Sequence, residues 1–215
     1  MSNGDWFFHC HLLYHLESGM ARVVHYNGFY PAPDTAPLRH KLYHDPWFFW
    51  GVADGLTNMT QGYLQYSNTR NIFNLEWEAG WAQVPGTQWE TTALYQRYYN
   101  RFFRLLAGLD TQGTLTGSSF HNDLDYNRGV FGLMYRLPLN LWLTAWADTD
   151  GGGRFKLAHS LMLTPRLMLG SQVEYDTHDR WEGRVSLSYM LSRSTSLLGQ
   201  WHSDYGWGMG VRVRF

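Results

Sequence analysis

From about residue 46 to the C-terminus, the chain is a succession of segments, each about ten residues long, in which apolar and polar side chains alternate. In residues 180–191, Trp181, Gly183, Val185, Leu187, Tyr189 and Leu191 fall on one face, and Glu182, Arg184, Ser186 and Ser188 on the other. Phe73, Leu75, Trp77, Ala79 and Trp81 likewise oppose Asn74, Glu76, Glu78 and Gly80. In the last segment Trp207, Met209, Val211, Val213 and Phe215 oppose Arg212 and Arg214. A period of two is the mark of an extended strand whose faces meet different surroundings.

Such alternation suits a soluble β-sandwich or a membrane barrel, and composition separates them. The chain holds 11 Trp, 14 Tyr and 12 Phe, yet charged residues are only 16%, below the roughly 25% of soluble domains. Mean hydropathy is −0.38, and no apolar run approaches the 18 or so residues of a membrane helix. The reading is therefore all-β: a transmembrane antiparallel up-and-down β-barrel over residues 46–215, of 12 strands, with 10 or 14 as alternatives. The strands are expected at 46–55, 59–67, 70–82, 87–98, 101–111, 126–137, 139–148, 153–163, 166–176, 180–191, 195–203 and 206–215. Their length suits a tilted crossing of a bilayer. With a periplasmic N-terminus, short turns are expected after even-numbered strands and longer polar loops on the other side, the longest at 111–125. The final alternating strand, closing on Phe215, resembles the C-terminal signature of bacterial outer-membrane barrels. That resemblance implies outer-membrane lipid as the surroundings.

The first residues differ in texture. Residues 30–45 carry three prolines within seven positions (Pro31, Pro33, Pro37) and read as a linker. Ahead of it lies DWFFHCHLLYHLESGM, residues 5–20. This motif resembles the last copper-binding motif of multicopper oxidases, particularly those of the copper-resistance protein A type. The resemblance covers about 25 residues and makes 1–29 a remnant oxidase tail. It implies that Cys10, His15 and an axial Met20 are ligands of a mononuclear blue-copper centre, with His9 and His11 reaching a trinuclear cluster. The family's two other His-x-His pairs are absent, so the tail is not expected to act as an oxidase. Such oxidases work in the periplasm, and the resemblance implies copper as cofactor and a periplasmic multicopper oxidase as partner. By association, residues 45–215 look like the outer-membrane copper-resistance protein B. The start, Met1–Ser2–Asn3–Gly4–Asp5, lacks a basic n-region and an apolar h-region, so a longer precursor is expected. The net charge of −1 gives no reason to expect nucleic acid.

Strand phasing places Glu76, Glu78, Asp110, Glu174 and Glu182 in the lumen with Arg104, Lys156, Arg184, Arg212 and Arg214. His202 joins them. Met134, Met162, Met168 and Met190 share this phase and are expected near the periplasmic mouth, where thioethers would hold Cu(I). The plainer reading of these methionines is gap-filling. His121, Asp123 and Asp125 are read as solvated loop residues, and no catalytic set is assigned. Three functions follow: a barrel that binds or passes copper, a membrane anchor for a periplasmic oxidase, and a small general pore.

Overall fold

The structure, a computed structural model, describes residues 6–9, 21–24, 26–28, 30, 45–116, 121–178 and 180–215. The chain divides into two compact units, Met1–Trp47 and Phe48–Phe215. In the first, β1 (Trp6–His9) and β2 (Ala21–Val24) form an antiparallel pair in which His9 stands opposite Ala21.

The second unit is a closed barrel of twelve antiparallel strands, each paired with its neighbours in sequence. They are β3 (Phe48–Leu56), β4 (Met59–Ser67), β5 (Asn71–Gly80), β6 (Thr87–Tyr98), β7 (Phe103–Thr116) and β8 (His121–Arg136). They continue as β9 (Trp142–Asp148), β10 (Gly153–Met162), β11 (Leu167–Asp176), β12 (Arg180–Met190), β13 (Thr195–His202) and β14 (Gly206–Arg214). One 3-10 turn, Pro138–Asn140, joins β8 to β9. The barrel closes where β14 meets β3, with Arg212 opposite Asp54. Beyond the strand end, the Gly51 N–H donates to the Phe215 carbonyl at 2.8 Å and the Phe215 N–H donates to the Gly51 carbonyl at 3.1 Å. Closure leaves no unpaired edge, a condition for a sheet in hydrocarbon.

The two faces of the wall are inverted relative to a soluble protein. Along β13, Ser196, Gln200 and His202 are fully buried, whereas Leu197 is 50% and Trp201 38% exposed. Phe131, Trp181 and Trp207 stand 65%, 70% and 80% exposed on the outside. A sandwich would bury those rings and expose the polar set. A membrane barrel does the reverse because lipid is its outer solvent. Aromatic pairs sit near both ends: Phe49–Phe215 and Phe73–Tyr95, with centroids 6.3 and 5.2 Å apart, by the termini, and Tyr175–Trp181 at 4.9 Å by the far end.

Two sequence expectations are corrected. Residues 111–125 do not form a long loop: β7 and β8 continue pairing to Thr116 and His121, with a register shift between Gln112 and Gly113. His121, Asp123 and Asp125 therefore lie on β8. The Asn- and Asp-rich composition suggested a loop, but cross-strand pairing prevailed, the ladder continuing past the irregularity at Gln112–Gly113. The expected contrast in loop length is likewise not seen: the connections on the terminus side run to three to five residues and those on the other side to two to six.

Candidate functional site

The lumen is asymmetric around its circumference. On the β6–β9 wall, Leu94, Leu106, Val130 and Trp146 form a buried apolar cluster, with Met134 packed against it. Through the middle of the barrel the facing wall is polar and bound by charge. Arg154, near the start of β10, is the hub: its guanidinium lies 2.8 Å from Asp176, 2.9 Å from Glu174 and 3.2 Å from Asp110. It also pairs with Glu90 on β6 and donates to the Tyr126 hydroxyl at 3.1 Å. Lys156 bridges Glu174 at 3.4 Å and Glu76 at 3.6 Å. Arg212 grips Asp54 with two 2.7 Å bonds, and Gln61 donates to the same carboxylate at 2.8 Å. Arg184 donates to Glu78, Gln61 and Gln172 at 3.1, 2.9 and 2.6 Å.

These charges are sorted along the axis. Arg104 is the second residue of β7, Arg136 closes β8, and Arg212 and Arg214 lie in the last three positions of β14. All four thus gather at the end that holds Phe48 and Phe215. Arg104 stacks over Tyr98 and Trp142, 4.2 and 4.7 Å from the ring centroids. Toward the opposite end lie Glu90, Asp110, Glu174, Asp176 and Glu182. A cavity of about 460 Å³ runs between the two groups, lined among others by Arg154, Glu174, Met134, Trp142, Met168 and Arg214.

At the far end a small apolar cluster, Leu56, Met59, Leu198 and Tyr205 with Val84, sits beneath the turns. Met59 is fully buried, its sulfur 3.3 Å from Gln200 Nε2. Burial pushes the Tyr205 phenol above its ordinary range. Its ring stacks on the imidazole of His202, centroids 4.7 Å apart. His202 Nε2 lies 3.0 Å from Glu78 and 3.2 Å from Glu182.

The sequence-predicted site residues divide as follows. Cys10, His11, His15 and Met20 lie outside the described residues; His9 ends β1. All four lumenal methionines keep the lumenal phase. Met162 stands directly opposite Met168, and Met168 opposite Ser188, so Met190 is the next lumenal residue along β12. Directly opposed residues have Cβ atoms about 5 Å apart and diagonal ones about 7–8 Å. Met134 is not part of this line: β9 separates β8 from β10, and Met134 stands opposite Arg104 and Thr144 on the apolar wall. The ten lumenal charges named from phasing all face inward, but the hub Arg154 and its partners Glu90 and Asp176 were missed, as was Asp54. Parity alone could have found Arg154, two residues before Lys156 in a strand expected from residue 153.

Residues 1–28 match a family model described as Multicopper oxidase. No curated protein matches the chain. Among solved structures, the KdgM porin in complex with disordered oligogalacturonate is similar at 18% identity, covering 78% of this chain and 98% of the porin, with a TM-score of 0.47. Outer membrane phospholipase A from Escherichia coli is similar at 13% identity, covering 80% of this chain and 90% of the other, with a TM-score of 0.46. The Salmonella typhi outer membrane phospholipase dimer with bound calcium is similar at 13% identity, covering 80% and 92%, with a TM-score of 0.45.

Proposed function

We propose that this chain is a bacterial outer-membrane barrel of copper handling, which receives copper at the lumenal mouth beside its termini, facing the periplasm. The observation that carries the reading is the line of Met162, Met168 and Met190 on three adjacent strands. Thioethers are soft ligands that select Cu(I) over the hard cations of the medium. The N-terminal oxidase-like motif supports the same chemistry and points to a periplasmic multicopper oxidase as partner. The role proposed is one of binding and passage, carried by the lumenal methionines.

The test is a Cu(I) titration of the full chain in detergent against a competing chelator. Cys10→Ser, Met20→Leu and His9, His11 and His15→Gln remove the N-terminal donors from the measurement. The expected result is saturable binding that is lost when Met162, Met168 and Met190 are all changed to Leu and kept in Met134→Leu. Equal binding in all of these, or none in the parent, rejects the reading. A second reading, an anchor for a periplasmic oxidase, is favoured by the ion pairs that tie Arg154 across the lumen to Glu90.

A further inference from the structure

We infer that Glu78, Glu182 and His202 form a metal site for a borderline divalent cation such as Zn²⁺, separate from the methionine line and of different chemistry. The three residues come from β5, β12 and β13, and one ligand atom from each lies within 4.8 Å of the others. Ligand atoms about 2.1 Å from one ion stand ~3.0–3.4 Å apart in octahedral or tetrahedral geometry. His202 Nε2 is 3.0 and 3.2 Å from the two carboxylate oxygens.

The second observation is the state of that nitrogen. His202 is fully buried, and its Nε2 faces the two carboxylates at 3.0 and 3.2 Å. Two carboxylate oxygens converging on one buried imidazole nitrogen is an arrangement that suits ligands sharing an ion. The ring is held for the purpose, stacked on Tyr205 with 23° between planes.

Charge agrees. Arg184, 3.1 Å from the second oxygen of Glu78, offsets one of the two carboxylates. One imidazole with two carboxylates suits Zn²⁺ or another borderline ion, whereas thioethers suit Cu(I). Both Glu78 and Glu182 line the cavity, so a bound ion is reached from the lumen. Nδ1 accepts the Asp204 N–H at 3.2 Å, which puts the proton of a neutral imidazole on Nε2. Metal binding at Nε2 moves that proton to Nδ1 and gives up the long Asp204 contact, so the Asp204 amide reports on occupancy.

The experiment titrates Zn²⁺ into the full chain carrying Cys10→Ser and His9, His11 and His15→Gln, by calorimetry in detergent. The Asp204 amide resonance is followed in parallel. One equivalent of saturable binding is expected, with a shift of that resonance. Glu182→Gln and His202→Gln should each weaken binding by roughly a hundredfold, while the Met162, Met168 and Met190→Leu variant binds as its parent. Heat-modifiable migration in SDS verifies that each variant is a folded barrel, and Glu182→Gln, near-isosteric, guards against loss of fold in His202→Gln. No saturable binding in the parent overturns the site and leaves a metal-free clamp. Binding undiminished in the folded Glu182→Gln variant overturns it as well. Zn²⁺ does not seek thioethers, so either result is independent of the copper reading.

Discussion

Arg154 on β10 and Glu90 on β6 meet across the lumen, joining walls that are four strands apart. The same guanidinium holds Glu174 and Asp176 on the neighbouring strand and Asp110 on β7. One cation thereby stitches three sectors of the barrel, and the side chain is only 4% exposed. Lys156 and Arg128 add positive charge at its margins, the latter 3.9 Å from Asp176.

Arg154→Gln is expected to destabilise the barrel by about 3–5 kcal/mol, because it leaves several buried carboxylates facing one another without their shared cation. Urea unfolding in detergent, followed by tryptophan fluorescence, reads this directly. A change below about 1 kcal/mol would mean that water already screens the lumen and that the network contributes little.

Phe131 faces outward near the middle of β8, 65% exposed. In lipid, Phe131→Arg should cost about 2–4 kcal/mol, the penalty for an arginine at the bilayer midplane. The neighbouring lumenal position provides a contrast, since Gly132 is crowded by the Ala145 carbonyl and Trp146 rather than by lipid. Refolding into vesicles under a urea series measures the cost. An unchanged midpoint would show that this face does not meet hydrocarbon.

Asp54 is 2% exposed and bound twice by Arg212. Arg212→Gln alone should cost about 3 kcal/mol by stranding the carboxylate, and Asp54→Asn in the same chain should restore much of it. The double-mutant cycle gives the coupling, expected at about 1–3 kcal/mol. Because this pair spans the β3–β14 seam, the single variant is also expected to slow barrel closure, seen as delayed heat-modifiable migration during refolding. Additive effects in the cycle would place the seam's strength in its backbone ladder instead.

Much of the barrel was legible in the sequence. Twelve alternating segments gave twelve strands, and parity placed the named charges from Glu76 to Arg214 in the lumen, because side-chain direction in a strand is local and strictly periodic. The hairpin of β7 and β8 was not legible: whether Thr114 and Asp123 pair or fray depends on a partner strand, not on their own propensities. The methionine line was half legible. Parity put Met134 inward with the others, but the intervening β9 sets it against Leu106 and Trp146 instead of beside Met162.

What the sequence by itself determined is therefore the wall: strand number, the lipid-facing aromatic surface, and which residues turn inward. Alternation carries that information within each segment, independent of the rest. Only the tertiary structure decided which inward residues meet. Glu78 reaches His202 and Glu182, and Arg154 reaches Glu90, because closure at Asp54 and Arg212 brings the first and last strands together. The stagger of neighbouring strands then sets the height at which each side chain enters the lumen, and that height is a property of the closed sheet rather than of any strand.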